Sequence, residues 1–230
     1  VAFRDVENTI YECPLDLRKD KIDRLVADVL DLKSQTPDLS AWQDFVDRIV
    51  NPTKEVNIAV VGKYIELQDA YKSIYESLTI SGAAHRTKVN VLRVDAEEID
   101  EKNAAKMIGE VDGILIPGGF GDRGIEGKIE AARYAREQKI PFFGICLGMQ
   151  IATIEFARNV CGLAEANSTE FAKDSPHPVI CLQEEQQGVT DMGGSMRLGS
   201  CESILIAGTK SHELYGGADR IHERHRHRYE

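Results

Sequence analysis

The sequence predicts an α/β protein built on a doubly wound, mostly parallel sheet, with a helical appendage at its N-terminal end. Three observations predict it. From Val56 onward, short apolar runs alternate with stretches of helical periodicity. The runs are nearly continuous in Val, Ile and Leu, as strands buried on both faces are. Two of them end in glycine-rich turns, at the edge where open parallel sheets bind their ligands.

Residues 1–36 read as a short extended piece and then a helix. Ile22, Leu25, Val26, Val29 and Leu30 recur at i, i+3, i+4, i+7 and i+8, one apolar stripe that Pro37 closes off. Ser40 is placed to cap a second helix, with Gln43 at the capping-box position and Trp42, Phe45, Val46, Ile49 and Val50 as its stripe. Pro52 stops it. Two helices supply too little core alone. They are either an appendage docked on the domain that begins at Val56 or the tail of a separate domain joined by a linker helix. Strands are then expected at 56–61, 89–94, 111–116 and 140–145, and helices at 70–80, 104–108, 125–136 and 147–160. Past about residue 165 the periodicity weakens, with an antiparallel strand at 203–206 and an extended tail over 223–230.

At 230 residues the chain holds one large or two small domains. A net charge of −10 argues against nucleic acid or an anionic membrane as the main partner. No apolar run approaches the roughly 18 residues of a membrane span. Five cysteines without a CxxC pattern point to reduced thiols and a cytosolic, cytoplasmic setting. No metal-ligand cluster is expected. The first residue is Val1 and the last, Glu230, falls inside a strand-like pattern, so the sequence reads as part of a longer chain.

The chemistry centres on Gly144-Ile145-Cys146-Leu147-Gly148. A strand, a tight turn and a helix with a nucleophile at the apex form the elbow known with serine, whose flanking glycines allow the sharp turn. A thiolate at a helix start also gains from the macrodipole and free N–H groups. The bland alternative for Cys146 is a small buried hydrophobe at a strand end. Pro117-Gly118-Gly119-Phe120-Gly121 comes after another strand, and its backbone N–H groups can turn toward a developing negative charge. A dinucleotide-binding turn is the rival reading, but the glycine spacing is wrong for it. One N–H from this turn and one from Leu147 would make an oxyanion hole for acyl transfer. In the tail, Arg224, Arg226 and Arg228 share one face of an extended strand, while His225 and His227 share the other. Carboxylate binding by an arginine suits this pattern better than a metal. The polar Asn167–Phe171 stretch reads either as a surface loop or as a segment that offers Glu170 to a ligand ammonium, and the turn at Gly193–Gly199 has no role that sequence reveals. A nucleophilic cysteine needs a base. Among His85, His177, His212, His222, His225 and His227, none sits in a setting that marks it as that base.

Gly144-Ile145-Cys146-Leu147-Gly148-Met149-Gln150 resembles the nucleophile turn of class I glutamine amidotransferases. A fuller set resembles the CTP synthase family. It comprises Val61-Gly62-Lys63-Tyr64, Asp69-Ala70-Tyr71-Lys72-Ser73, the 117–121 turn, Asn167-Ser168-Thr169-Glu170-Phe171, Gly193–Gly199 and Glu223–Glu230. The resemblance implies a flavodoxin-like amidotransferase domain over 56–230, a linker helix over 40–55, and the end of an amidoligase domain over 1–39. It implies ATP-dependent amination of UTP to CTP, with ammonia released from L-glutamine through a thioester on Cys146. Gly119 and Leu147 would hold the oxyanion. Gly119, Leu147, Gly148, Met149, Gln150, Glu170 and Arg228 would bind glutamine, Arg228 at its α-carboxylate. Arg4, Asp5 and Val6 match a segment that lies against the adenine of ATP. ATP with Mg2+ would bind mostly in a preceding domain. GTP would act as an allosteric activator near Phe120 and the 193–199 turn. A homo-oligomer, a tetramer in the family, is implied. So are a catalytic His and Glu in a His-Pro-Glu motif beyond Glu230. Two other classes remain: a non-catalytic module that senses glutamine or a nucleotide on the same fold, and another cysteine hydrolase, which the tail and the Asn167–Phe171 stretch argue against.

Overall fold

The computed structural model describes residues 5–33, 36–186, 188, 199–224 and 227–230. Arg4, His225, Arg226 and residues 193–198 of the expected turn lie outside the described residues.

The centre is a four-stranded, all-parallel sheet. Its strands are β1 (Lys54–Gly62), β2 (Thr87–Asp95), β3 (Gly113–Ile116) and β4 (Phe142–Gly144). Their order is β2-β1-β3-β4. The chain leaves β1 to one side for β2 and returns on the other for β3, so the order reverses between β1 and β3. That reversal opens a crevice at the carboxyl ends of the strands. Register is tight: Ile58 pairs with Val91 on one side and Gly113 on the other, and Ile116 pairs with Gly144.

The helices are α1 (Cys13–Lys19), α2 (Ile22–Val29), α3 (Ser40–Val50), α4 (Lys72–Ala84), α5 (Ala104–Ile108), α6 (Ile125–Gln138), α7 (Leu147–Asn159) and α8 (Lys210–Leu214). α5, α6 and α7 close one face of the sheet. Ala59, Val61, Ile114 and Ile116 meet Ile108, Ile129, Ile151 and Ile154 there in one core cluster. Each fully buried Ile of that set contributes about 2 kcal/mol. α6 and α7 are also tied by charge. Arg136 donates to both oxygens of Glu155, at 2.8–3.1 Å, and Glu155 is 3% exposed. The pair is bidentate and Asn159 adds a third donor, so a carboxylate that burial would otherwise disfavour is satisfied.

Past α7 a parallel pair, β5 (Ala166–Ser168) and β6 (His177–Ile180), appears where the weak periodicity gave no strand. β7 (Ser200–Ile204) and β8 (Arg220–Arg224) form an antiparallel hairpin. The strand expected at 203–206 therefore begins three residues earlier and ends two earlier. The extended tail is also corrected. β8 is described over Arg220–Arg224, and past the two residues outside the description Arg228 lies in a bend and Tyr229 bridges to Leu182.

The N-terminal residues form a unit docked on the sheet domain. Trp42 packs on Tyr11 and Phe45, and Tyr11 Oη donates to Glu76 of α4 at 2.8 Å. α1, with Pro14 in its first turn, is a helix beyond those expected. Ser40 is the first helical residue of α3 and not its cap. Leu39 is the N-cap, and the Asp38 carboxylate receives the Ser40 N–H at 2.9 Å. The apolar stripe of α2 faces outward: Leu25, Val26, Val29 and Leu30 are exposed, while Ala27 is buried. Among the described residues, no helix is long and apolar enough to cross a membrane.

Candidate active site

Three segments meet at the carboxyl edge: Lys63 after β1, the Pro117–Gly121 turn after β3, and the elbow after β4. The Ile145 N–H donates to the Ile116 carbonyl at 2.9 Å, which joins the last two. A Cβ at Gly148 would lie 2.1 Å from that carbonyl oxygen, and one at Gly144 would lie 2.4 Å from the Gly148 carbonyl carbon. The two glycines therefore exist for close approach of β3, β4 and α7. The expectation that they supply the freedom of the turn is corrected. Neither has a positive φ; Cys146 itself does, at φ 54 and ψ −107. A non-glycine residue held there stores about 1–3 kcal/mol of strain, which the packed glycines on either side enforce.

Cys146 is the N-cap of α7 and is half-buried. The Gly118 backbone lies against it: a Cβ there would be 3.4 Å from Cys146 Cβ and 4.0 Å from Sγ. A Cβ at Gly119 would touch Leu147 Cδ2 at 3.5 Å, so this turn spans the elbow from thiol to first helical residue. Among the described residues, nothing accepts a hydrogen bond from the Gly119 N–H. Burial pushes the Cys146 thiol above its ordinary pKa; the Leu147 N–H favours the thiolate, and the nearby Glu170 carboxylate opposes it. The helix start thus helps the thiolate as the sequence implied, but burial outweighs it. No described histidine is among the groups that shift this thiol.

Glu170 reaches the same edge from the turn after β5. Its backbone N–H donates to Ser168 Oγ at 3.1 Å, and Ser168 is wholly buried. Its Oε1 accepts the Gly121 N–H at 3.1 Å. The tail arrives by a second route. Cys181 and Glu230 exchange backbone hydrogen bonds at 2.8 and 2.9 Å, and the Gln183 N–H donates to the Arg228 carbonyl at 3.0 Å. Gln150, 5% exposed, donates through Nε2 to the Tyr229 carbonyl at 2.8 Å. α7 therefore holds the segment that carries Arg228. Leu147 and Gly148 are buried, and Met149 is exposed. Asp5 and Val6 lie in the N-terminal unit, ahead of the turn at Ile10–Glu12. Gly199 is the one described residue of the 193–199 turn.

Two residues to which the sequence assigned no role belong to this edge. Lys63 Nζ donates to the Phe120 carbonyl. Lys128, in the first turns of α6, is 2% exposed. Its pKa is lowered to about 8, first by burial and then by Lys63, with Glu97 and Asp95 acting the other way. Lys63 had a signal, since it comes directly after the glycine that ends β1. Lys128 had none, because a lysine in a helical pattern reads as solvent-facing.

The glutamine amidotransferase class-I family model matches residues 66–230. The chain belongs to the class-I glutamine amidotransferase family. The CTP synthase of Methanocaldococcus jannaschii is 52% identical over 236 residues, covering 100% of this chain and 43% of its own. That of Caldanaerobacter subterraneus is 52% identical over 230 residues, covering 100% of this chain and 42% of its own. The chain thus spans about two fifths of the length of the curated relatives it matches. A solved Trypanosoma brucei CTPS glutaminase domain with bound acivicin is 40% identical, with a TM-score of 0.67, over 76% of this chain and 67% of that one. The chain is similar in sequence to CTP synthases along its whole length, and its parallel sheet with flanking helices is the family's architecture.

Proposed function

We propose that this chain is the glutaminase part of a CTP synthase. The observation that carries it is the elbow: a half-buried thiol on strained backbone at the start of α7, with the Gly118–Gly119 backbone lying across it. Cys146 Sγ, deprotonated by a base, attacks the side-chain carboxamide carbon of glutamine. The carbonyl oxygen takes up the electron pair and is met by the Gly119 and Leu147 N–H groups. The C–N bond then breaks as the nitrogen is protonated, giving ammonia and a thioester. Water hydrolyses the thioester to glutamate and frees the thiol. Glu170 receives the substrate's α-ammonium and Arg228 its α-carboxylate. Gln150 acts by holding Tyr229, and with it Arg228, beside α7.

We infer the remaining roles from the family resemblance. Residues 1–39 end an amidoligase domain, 40–55 link it, and 56–230 form the glutaminase. The ammonia aminates UTP at the expense of ATP, with Mg2+, and GTP activates. The base and its orienting acid come from outside the described residues, and the working protein is a cytoplasmic homo-oligomer. A glutamine-directed chloroketone applied to the full-length protein tests the catalytic part. It should label Cys146 and abolish glutamine hydrolysis; an intact, folded protein that resists labelling sinks the proposal. A second reading, a glutamine-sensing module, is favoured by one observation, the raised thiol with no described histidine acting on it. It requires glutamine binding without turnover at full length, unchanged in Cys146→Ser.

A further inference from the structure

One peptide unit at this edge is held from both ends by opposite charges. The carbonyl of Phe120 accepts from Lys63 Nζ, and the N–H of Gly121, across the same amide, donates to Glu170 Oε1 at 3.1 Å. In a trans peptide these two groups point in opposite directions. The ammonium and the carboxylate therefore sit on opposite sides of the 120–121 unit, each facing the end that suits it. Turning this unit over would aim the carbonyl at the carboxylate and the N–H at the ammonium. Both contacts would become repulsive together. Gly121, at φ 78, is a residue that permits either orientation, so the charges and not local sterics make the choice.

Lys63 is itself anchored. Its backbone N–H donates to Tyr71 Oη at 3.3 Å, and Tyr71 is 6% exposed. The Tyr71 ring fills the space where a Cβ at Gly62 would stand, with Oη 2.6 Å from that position. The Lys63 ammonium also lies 5.0 Å from the centroid of the Tyr64 ring. β1 thus delivers a fixed cation to the turn that carries Gly119, two residues from the clamped N–H.

We propose that Lys63 is a positioning residue for the oxyanion turn: with Glu170 it locks the 120–121 peptide, and so fixes the orientation from which the Gly119 N–H meets the developing charge. This rests on the glutaminase reading. Lys63 touches no reacting atom, and its effect falls on the transition state and not on substrate binding. On the same reading Glu170 takes part in both, because its Oε1 holds Gly121 and the carboxylate also receives the substrate ammonium.

The test uses the full-length protein and compares wild type, Lys63→Met and Lys63→Arg in glutamine hydrolysis. The aldehyde analogue of glutamine serves as a probe, since its thiohemiacetal with Cys146 places an oxygen where the oxyanion would sit. Lys63→Met should lower kcat by about tenfold to 10²-fold with KM changed by less than about twofold, the pattern of a misplaced donor. Aldehyde affinity should fall by the same factor, glutamate affinity should not, and Lys63→Arg should recover most of both losses. An active wild type whose Lys63→Met variant keeps kcat and aldehyde affinity overturns the positioning role alone. So does a variant that loses melting temperature, kcat and glutamate affinity together, or one that Arg rescues no better than Met. A wild type that neither hydrolyses glutamine nor binds the aldehyde overturns the glutaminase reading, and this proposal with it.

Discussion

Lys128→Met should stabilise the protein at neutral pH, by an amount that disappears in alkali. Lys128 is 2% exposed, sits near the positive end of α6, and shares its surroundings with Lys63. Burial first, and then the Lys63 ammonium, outweigh the attraction of Glu97 and Asp95, so its pKa falls from 10.5 to about 8. At about 1.4 kcal/mol per pH unit, holding the charge in the folded state costs about 3 kcal/mol. Proton counting gives the sign. Below pH 8 both folded and unfolded chains carry the proton, and the full cost is present. Between about 8 and 10.5 the folded chain sheds it while the unfolded chain keeps it, so stability rises with pH. Methionine keeps the straight chain and similar volume without the charge. Urea unfolding of both proteins at pH 7 and pH 10 is the assay. The variant should lead by about 3 kcal/mol at pH 7, which is roughly 6–12 °C in Tm for a chain of this size, and most of that lead should vanish by pH 10. Other titrating groups cancel in the difference. A gap that stays constant with pH, or a variant less stable at pH 7, refutes the account of Lys128 as a buried, costly cation.

In this chain the Cys146 thiol, raised by burial, should alkylate more slowly at pH 8 than exposed Cys13 or Cys161, and speed up only at higher pH as the thiolate forms. Peptide-resolved mass spectrometry of iodoacetamide uptake measures this. Gly148→Ala should lower stability by about 2 kcal/mol, because its Cβ would stand 2.1 Å from the Ile116 carbonyl oxygen and overpacking outweighs the gain in helix propensity. Differential scanning calorimetry should show a drop of roughly 4–8 °C. Arg136→Met should cost about 2 kcal/mol in urea unfolding. That is less than a wholly buried pair would lose, since the Arg136 side chain is 35% exposed while that of Glu155 is 4% exposed. Adding Glu155→Leu should recover most of it.

The sheet and its helices were legible because continuous apolar runs and helical stripes are local patterns, and each of the four sheet strands begins within two residues of its expected start. The elbow was legible for the same reason, as Gly-x-Cys-x-Gly between a strand and a helix. What its glycines do was not, since Gly148 is required by the approach of Ile116, about 30 positions earlier, and Gly144 by the Gly148 backbone folding back against it. β5 and β6 escaped because each is three or four residues long and lacks alternation. The extended tail failed on a tertiary fact: Leu182 and Gln150 take hold of Tyr229 and bend the segment that alternation alone would have kept straight. The α2 stripe is apolar at helical spacing, yet nothing in that spacing says which way it faces.

Three departures from ordinary folding rules share one edge of the sheet, although Lys21, Asp31, Arg86 and Lys139 also take positive φ elsewhere. A non-glycine residue at positive φ, a lysine buried at 2% exposure and an amide clamped between two charges all lie where β1, β3 and β4 end. Elsewhere the buried charge that does occur, Glu155, is fully partnered. A fold tolerates such departures when surrounding packing over-determines them, and they persist where geometry serves chemistry. The packing here is specific: Gly144 and Gly148 wedge Cys146 into its backbone, and Tyr71 wedges Lys63 into its position. Because Glu170 Oε1 already holds the Gly121 N–H, a substrate ammonium that the proposed reading sets on the same carboxylate would share it with the turn. That is why Lys63→Met is expected to separate kcat from KM, while Glu170→Gln in the same assay should move both.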